Sequence, residues 1–506
     1  MKVYDLLRSR PIHGELLKLK EEIHQYALDY GLDFYPVIFE MCGYDTIYIL
    51  AAQGGFPARY PHWRFGMEYD QLSKSYAYGL QKIYEMVINT NPCYAYLLTA
   101  NNFVDQKIVM AHVYGHADFF KNNAWFRTSD RNMMDVMANH GAKIRRYMET
   151  YGQDRVEEFI DKVLSFENLL DINTLFETQE VKRNRNENLR SLKEEISEHV
   201  DGRSSALKSF MRSKLQKDKT KKEVTPAQIK DEDIFISEYL ESPKDVMAYL
   251  INHAPLEEWE TDVLGILRDE AYYFLPQRMT KIINEGWASY WHSTIMTKNA
   301  LKSSEIIDFA DKHSGVMAMS KQNINPYKIG IELFRDIEYR WDTGKFGKDY
   351  NDCTDMVKKA NWNTSAFLGR QKIFEIRRTH NDITFLDEFF TQEFCERMQL
   401  FTYKYNPRTG RNEIESREFE EIKSNLLHSL TNFGQPLIEV ESGNYKNRGE
   451  LLLRHIHQGV DLDMAFAADT LKNLYFIWKR PVNIATIQDS NEMTYCFNGK
   501  EMKPVQ

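Results

Sequence analysis

Residues 108–120, IVMAHVYGHADFF, and residues 284–292, NEGWASYWH, decide the fold of this chain. The first stretch is apolar for most of its length, a pattern typical of a helix buried in a core, and the second lies in a strongly predicted helix. His112 and His116 are four residues apart, so on a helix their imidazoles lie on one face, about one turn from each other. Glu285 lies in the second stretch. We therefore predict a mostly helical core in which two helices bring histidines and a carboxylate together.

The spacing of these residues predicts a divalent-metal site. Two imidazoles one turn apart can reach one tetrahedral ion, and a carboxylate from a second helix is the usual third ligand of zincin-type sites. We predict His112, His116 and Glu285 as the ligands and zinc as the ion. His292, seven residues after Glu285, shares its helix face and is predicted as a fourth ligand or a transition-state donor. Ordinary histidines on one helix face are the simpler alternative.

The residues between the two histidines depart from the usual peptidase motif. In HExxH enzymes the Glu beside the first His is the general base, but Val113 holds that position here. The inverted HxxEH form is missing too, because the last inner position is Gly115. If the protein hydrolyses an amide, its base comes from elsewhere. Glu85 and Glu270 are the candidates, with an ordinary salt bridge or cap as the alternative role for each.

Several polar residues are candidates for binding a substrate. Arginine suits bidentate binding of a carboxylate or phosphate, and loops carry binding residues more often than cores do. A carboxylate close to a metal-binding histidine can also act as an outer partner of that ligand. The candidates are Arg59, His62, Arg64, Asp118, Lys121, Asn122 and His140. For His140, a surface or core-edge position without a binding role is the alternative.

The composition is that of an ordinary globular protein. Of 506 residues, 42% are hydrophobic and 27% are charged, and the formal net charge is −9. This acidic balance argues against a general nucleic-acid binder, which normally carries a basic face. There is no N-terminal apolar signal region and no apolar run of about 18 residues, which argues against secretion and against a membrane span. Five scattered cysteines indicate reduced thiols in a cytoplasmic protein.

Changes in sequence character divide the chain into four regions. Residues 1–176 and 233–380 are predicted to form the two halves of a zincin-like helical core with a small sheet. Residues 177–232 are rich in Lys, Arg, Glu, Asn and Ser, which predicts a charged linker or insert, or alternatively a docking site for an acidic partner. Residues 381–506 alternate strand and helix patterns and predict a C-terminal α+β domain.

At the level of single elements, the pattern predicts helices over 70–89, 261–275, 276–297 and 413–430 and a strand over 94–98. Pro276 is expected to be the first residue of its helix, where its missing N–H leaves no helical bond unmade. Glu85 then lies on the first of these helices, and Glu270 lies on the second.

Seven long stretches resemble the SpoVR (stage V sporulation protein R) family. The resemblance that they carry extends over nearly the whole chain except 177–232. They are FEMCGYDTIYILAAQGGFPARYPHWRFG, YEMVINTNPCYAYLL, AHVYGHADFFKNN, RDEAYYFLPQRMTKIINEGWASYWHSTIM, NPYKIGIELFRDIEYRW, IFEIRRTHNDITFLDEFFT and HIHQGVDLDMAFAADTLKNLYFIWKRPVNIAT.

The resemblance implies a role in spore-cortex formation or in bacterial stress physiology. It also implies a serine protein kinase of the AAA type and a von Willebrand A-like protein as partners in a shared pathway. The segment after Glu285 resembles the EGWA segment of some HExxH hydrolases, where that Glu is the third zinc ligand. Two hypotheses follow. One is a metal-dependent enzyme that hydrolyses or transfers an amide or peptide bond, and the other is a non-catalytic interaction partner in the kinase-linked pathway.

Overall fold

The computed structural model describes residues 9–77, 83–176, 244–318 and 324–505. Helices predominate in these ranges, and three small sheets accompany them. This confirms the mostly helical class with small sheets and a sheet-containing C-terminal region. The charged segment 177–232 lies outside the described residues. No helix within the described ranges is both long and apolar enough to cross a membrane.

The helices are numbered here in chain order, and a π-helical turn, Met296–Ala300, directly follows α9. They are α1 Glu15–Asp29, α2 Tyr44–Ala52, α3 Trp63–Ala77, α4 Phe103–Asn122, α5 Met133–Tyr151, α6 Gln153–Leu164, α7 Val246–His253, α8 Glu258–Met279, α9 Lys281–Ile295, α10 Ile306–Val316, α11 Pro326–Thr343, α12 Gly347–Asn351, α13 Met356–Ala360, α14 Gly369–Thr379, α15 Asp382–Phe389, α16 Gln392–Arg397, α17 Phe419–Leu430 and α18 Met464–Trp478.

The strands form sheets of four, two and five members, in the orders β1-β2-β4-β3, β5-β6 and β11-β10-β9-β8-β7. They are β1 Ser9–Pro11, β2 Val37–Cys42, β3 Glu85–Ile88, β4 Cys93–Leu98, β5 Thr402–Asn406, β6 Arg411–Ser416, β7 Ile438–Tyr445, β8 Glu450–His455, β9 Val482–Gln488, β10 Asn491–Phe497 and β11 Met502–Pro504.

The chain divides into two compact units. The first consists of Met1–Asp154 and Tyr272–Gly434, and the second of Arg155–Ala271 and Gln435–Gln506. Both predicted core helices therefore belong to the first unit. The limits predicted near residues 176, 232 and 380 mark changes in sequence character, and they fall at other positions than the limits of these compact units.

In the first unit, α4 directly follows the four-stranded sheet along the chain. The two inner strands of this sheet, β2 and β4, are parallel, whereas β1 and β3 run antiparallel at the edges. The chain passes from β4 into α4, where the side chain of Asn102 caps the helix by accepting a hydrogen bond from the Asp105 backbone N–H. All residues from Val109 to Phe120 are buried, as the apolar pattern predicts. The histidines of α4 therefore lie in the interior.

Glycines allow α9 to pack between α4 and α11 with backbones in contact. A Cβ added to Gly115 of α4 would lie 2.6 Å from the Cα of Ala288 on α9. On the other side of α9, a Cβ added to Gly286 would lie 2.4 Å from the Cα of Gly330 on α11. Real side chains do not fit at such distances, so this three-helix contact requires glycine. The contact also explains why Gly115 occupies the position that carries Glu in HxxEH sequences.

Two buried carboxylates hold the same helices in place. Asp382 of α15 accepts hydrogen bonds from the backbone N–H groups of Ile282 and Ile283, at 2.9 and 2.8 Å, and so caps the first turn of α9. Asp118 of α4 accepts from Nε1 of Trp287 on α9 at 2.8 Å and from Nη1 of Arg377 on α14 at 3.2 Å. These bonds satisfy helix-terminal and buried polar groups that have no access to water.

Three of the predicted elements are wrong. The helix predicted over 70–89 ends at Ala77, and Glu85–Ile88 form the edge strand β3, because this apolar segment pairs with β4. Pro276 does not begin a helix but lies inside α8, and the break falls at Thr280 instead. The helix predicted over 413–430 begins only at Phe419, because the residues before it pair with β5 in a two-stranded ribbon. The predicted strand 94–98 is confirmed.

The second unit contains the five-stranded sheet. Its neighbouring strands are antiparallel except β8 and β9, which are parallel. The crossover between these two strands includes α18, which begins after the cap Asp463 and buries Leu471, Leu474 and Ile477. This unit supplies the last five strands of the predicted C-terminal α+β region, whereas β5 and β6 belong to the first unit.

Candidate metal centre

The three residues predicted as metal ligands lie together in the interior of the first unit. Oε2 of Glu285 lies 3.2 Å from Nε2 of His112 and 3.4 Å from Nε2 of His116. A ligand atom of each residue lies within 4.8 Å of those of the other two. Both histidines are buried and Glu285 is half-buried. α4 supplies the two imidazoles, and α9 supplies the carboxylate across the glycine contact.

Asn284 orients the second histidine. Its Oδ1 lies 2.9 Å from Nδ1 of His116, so this nitrogen donates and Nε2 faces Glu285. Burial opposes protonation of His116, but the Glu285 carboxylate outweighs that effect and raises the pKa of His116 above its usual value. The Glu285 carboxylate therefore favours the protonated form of the His116 ring that faces it at 3.4 Å.

The environment of Glu285 keeps its carboxylate ionised. Burial alone would raise its pKa, but the charge on His116 and hydrogen bonds from His112 and His116 hold the pKa of Glu285 well below its usual range. The charge of this carboxylate raises the pKa of the nearby Tyr327 hydroxyl on α11 well above its usual value. The ring of Tyr327 also stacks on His112, with centroids 6.0 Å apart. An ionised carboxylate held among donors is chemically suited to binding a cation.

His292 adjoins His112 and is in turn joined to a third histidine. Its Nδ1 lies 3.0 Å from Nδ1 of His112, and its Nε2 lies 3.2 Å from Nδ1 of His313 on α10. Burial lowers the pKa of His112, and it lowers that of His292 well below the usual value. Nδ1 of His112, which meets His292, is a different nitrogen from the one that faces Glu285. His292 therefore contacts His112 through a nitrogen that does not face Glu285.

Glu85 is the candidate base that belongs to the same unit. It lies on the edge strand β3, which contacts α4. Burial raises the pKa of Glu85 to about 7; the charge on His116 opposes this rise, and the Glu285 carboxylate adds to it. A carboxylate with a pKa near neutral pH, close to the cluster of His112, His116 and Glu285, is suited to general acid–base chemistry. Glu270 is buried in the second unit, on α8.

Three predicted substrate-binding residues occupy the C-terminal end of α4 and make bonds within the fold. Oδ1 of Asp118 accepts from the backbone N–H of Asp33 at 2.8 Å. Lys121 forms an ion pair with Asp33 at 2.5 Å, and Asn122 donates to the backbone carbonyl of Asp33 at 2.6 Å. The structure therefore shows these side chains fastening α4 to the segment that follows α1.

The other predicted substrate-binding residues form a second group, beside α5. Arg59 is buried, donates to the Gln53 carbonyl at 3.0 Å, and accepts at its own carbonyl from Arg145 of α5. Nδ1 of His62 accepts from the Arg64 backbone N–H at 3.3 Å. A Cβ on Gly141, which follows His140, would lie 2.9 Å from the Arg59 backbone. The structure thus brings Arg59, His62, Arg64 and the His140 helix together.

Sequence reasoning missed three residues around the ligands. Asn284 immediately precedes Glu285, and an amide next to a ligand is a signal that can be read from the sequence. Tyr327 and His313 come from α11 and α10, and no local spacing ties them to α4 or α9. Only the packing of the helices brings them to the ligands.

The fold and this cluster define a class of mostly helical proteins that enclose two histidines and a glutamate between glycine-packed helices. The chain belongs to the SpoVR family: the family described as "SpoVR like protein" matches residues 13–435, and "SpoVR-like C-terminal domain" matches residues 436–489. This confirms the resemblance drawn from the sequence. The junction of the two matches falls beside the limit of the first compact unit, Gly434.

An Escherichia coli (strain K12) protein described as "Uncharacterized protein YcgB" is 28% identical to this chain over 483 residues. The alignment covers 90% of this chain and 89% of that protein. Among solved structures, none matches this chain. Family membership links the chain to sporulation proteins, and the chemistry of the site has to be argued from its geometry.

Proposed function

We propose that this protein is a metal-dependent enzyme that acts on an amide or peptide bond, by hydrolysis or by amide transfer, in bacterial sporulation or stress physiology. The observation that carries the proposal is the cluster of His112, His116 and Glu285. Glu85 lies close enough to it that the charges of His116 and Glu285 influence the pKa of Glu85. The proposal takes the core to be zincin-like, and two helices that pack together beside a small sheet support it. A kinase and a von Willebrand A-like protein are its proposed pathway partners.

The donor set and its spacing fit a zinc-sized divalent ion. Ligand atoms bound at about 2.1 Å to a tetrahedral ion are about 3.4 Å apart. The Glu285 oxygen lies 3.2 and 3.4 Å from the two histidine nitrogens, which is close to that separation. Two imidazoles and one carboxylate leave one tetrahedral position free for water or substrate. A divalent ion bound there would polarise an amide carbonyl and lower the pKa of a bound water.

The residues of the chain have distinct roles in this proposal. Glu85 accepts a proton, because its pKa of about 7 lets it bind and release a proton near neutral pH. Asn284 and His292 orient the imidazoles of His116 and His112 through their Nδ1 atoms. Tyr327 packs its ring on His112 beside the Glu285 carboxylate. In this proposal Glu85 has the role of the HExxH glutamate, but it lies on a strand and not on the helix that carries the histidines.

Removal of a ligand is expected to abolish metal binding. Purified without a histidine tag, the wild type should hold about one equivalent of zinc per chain. His112→Ala and Glu285→Ala should each weaken zinc affinity more than about 100-fold, beyond the range of outer-sphere changes. Elemental analysis and chelator competition measure both quantities. His24→Ala is the matched control, because His24 is a half-buried histidine of the same unit that contacts Phe34 and Tyr114.

Two outcomes would count against the enzyme. If the wild type takes up no zinc, manganese or iron after reconstitution, the metal site is wrong. If the ligand variants keep wild-type affinity, the ion binds elsewhere. In the first case the non-catalytic hypothesis becomes the better one, and pull-down experiments should seek the kinase-linked partner.

Removal of the proposed base is expected to slow the reaction while leaving the metal bound. With peptide and cell-wall amide substrates, Glu85→Gln should lower kcat by about 10²–10⁴-fold. The base works in its ionised form, so the wild-type rate should rise as pH rises towards about 7, the pKa of Glu85. A bound cation lowers that pKa, so the acid limb lies at or below this pH. The pH–rate profile of Glu85→Gln should lack the limb.

Glu40→Gln is the control for Glu85, since Glu40 is half-buried on β2 of the same sheet. Equal loss of activity in both variants would indicate a general disturbance of the sheet. Unchanged activity in Glu85→Gln would remove Glu85 from the mechanism.

A further inference from the structure

We propose that a cavity between the N-terminal ends of α1 and α4 binds an anionic small molecule whose apolar chain ends in a hydrogen-bond donor, such as an ω-hydroxy acid. The cavity encloses about 790 Å³, and small-molecule sites typically enclose about 300–1,000 Å³. None of its described lining residues belongs to the cluster of His112, His116 and Glu285. This inference therefore does not rest on the proposed function.

The sheet and α1 give the cavity apolar sides. Arg10 of β1 and Met41 of β2 are partners in the antiparallel register, so their side chains lie on one face of the sheet. Ile12, just before α1, and Leu16, in the first turn of α1, line the cavity beside them. Met41, Ile12 and Leu16 are half-buried. An alkyl chain bound there would gain apolar contacts and shield these side chains from water.

The mouth of the cavity carries positive charge. Arg10 and His13 are exposed lining residues, and among the described residues neither forms an ion pair with a carboxylate. No Asp or Glu is among the described lining residues. A guanidinium binds a carboxylate or a phosphate through paired N–H donors. The mouth therefore favours a ligand with an anionic end.

The buried end of the cavity offers two acceptors that lack a donor. Asn101 and Gln106 line the cavity and are only 9% and 3% exposed. The amide nitrogen of Asn101 donates to the Tyr84 carbonyl at 2.9 Å, and that of Gln106 donates to the Leu98 carbonyl at 3.0 Å. These bonds fix the two amides, yet Oδ1 of Asn101 and Oε1 of Gln106 have no hydrogen-bond partner among the described residues. Because a buried acceptor without a donor is destabilising, a ligand hydroxyl or N–H group at this end would be bound favourably.

Exposure sets the order of these groups along the cavity. The cationic residues are exposed, the apolar residues on the sides are half-buried, and the two amides are buried. A matching ligand therefore enters with its donor first and leaves its anionic end at Arg10. A linear ω-hydroxy acid has these three parts in this order, whereas a simple fatty acid lacks the donor and a diol lacks the charge.

Isothermal titration calorimetry on the full chain tests the inference with three linear probes, each used below the concentration at which it aggregates. The probes are ω-hydroxydodecanoate, dodecanoate and α,ω-dodecanediol. We expect ω-hydroxydodecanoate to bind once per chain. Dodecanoate should bind about fivefold more weakly, because one neutral hydrogen bond is lost, and the diol about tenfold more weakly, because a charged one is lost. Absence of binding, or equal affinity for the three probes, would overturn the inference.

Filling the cavity gives a second test. Gly43 lines the cavity with an ordinary φ of −74°, and a Cβ added there would meet no atom within 4 Å. Gly43→Leu therefore adds bulk without strain and should abolish the binding of ω-hydroxydodecanoate. Gly66→Leu on α3 is the matched control, since a Cβ at Gly66 also meets no atom within 4 Å. Wild-type affinity in Gly43→Leu, or an equal loss in both variants, would contradict binding in this cavity.

Two substitutions separate the role of the mouth from that of the buried end. Arg10→Met should remove most of the preference for ω-hydroxydodecanoate over the diol and keep the preference over dodecanoate. Gln106→Met should do the reverse and reduce the preference over dodecanoate to about twofold or less, because one acceptor is lost. Damage to the fold would weaken all three probes alike and leave both ratios unchanged. Arg146→Met, at an exposed arginine of α5, is the control for charge. Preferences that survive both substitutions would show that the assignment of these groups is wrong.

Discussion

Replacing Asp118 by alanine is expected to lower the free energy of unfolding by about 3–5 kcal/mol, the usual cost of removing one partner of a buried ion pair. Asp118 is fully buried, and its carboxylate joins α4 to Trp287 of α9 and Arg377 of α14. The side chain of Arg377 is only 6% exposed, so alanine leaves a guanidinium with neither its partner nor free access to water. Denaturant titration followed by circular dichroism measures the change.

An exposed ion pair of the same unit is the control for Asp118. Asp70 and Lys74 pair at 2.6 Å on α3 with side chains 60% and 66% exposed, so Asp70→Ala should change stability by less than about 1 kcal/mol. A comparable loss in both variants would show that burial is not the source of the Asp118 effect. Retention of wild-type stability in Asp118→Ala would mean that Arg377 finds another arrangement.

Gly286→Ala is expected to destabilise the protein by about 3 kcal/mol or more, at the upper end of overpacking effects. The added Cβ would lie 2.4 Å from the Cα and 2.5 Å from the carbonyl carbon of Gly330. Both contacts are with the backbone of a buried helix, which cannot move aside by rotating a side chain. Because Glu285 precedes Gly286, displacement of α9 should also weaken zinc binding. The midpoint of denaturant unfolding and the zinc affinity are the measurements.

Gly265→Ala separates the packing effect from helix propensity. Gly265 lies within α8, and a Cβ there would meet no atom within 4 Å. Alanine favours helix over glycine by about 1 kcal/mol, so this variant should be neutral or more stable. If Gly286→Ala behaved in the same way, α9 and α11 would not be in backbone contact.

The sequence could predict the elements of the site whose determinants are local. The pairing of His112 with His116 follows from helical spacing alone, and the burial of α4 follows from its apolar residues. The approach of Glu285 is a tertiary contact, and it was predicted from an analogy with other two-helix ligand sets. His313 has no such analogy. Its place beside His292 depends on where α10 packs.

The secondary-structure predictions that were wrong relied on local sequence pattern, and long-range contacts in the fold outweighed that pattern. Residues 85–88 continue the pattern of the preceding helix, but pairing with β4 makes them a strand. Pro276 fits the start of a helix, yet α8 continues through it to Met279. A proline inside a helix forfeits one hydrogen bond, and packing of the flanking residues can outweigh that loss. Such competition is decided by the whole fold.

The separation of the ligands along the chain has a consequence for synthesis in the cell. His112 and Glu285 are 173 residues apart, so at about 5–20 residues per second the carboxylate leaves the ribosome roughly 9–35 s after the histidine helix. During that interval the predicted ligand set lacks its carboxylate, and α4 lacks the helix that packs against it. Capture of the proposed ion by all three predicted ligands must therefore follow translation of α9.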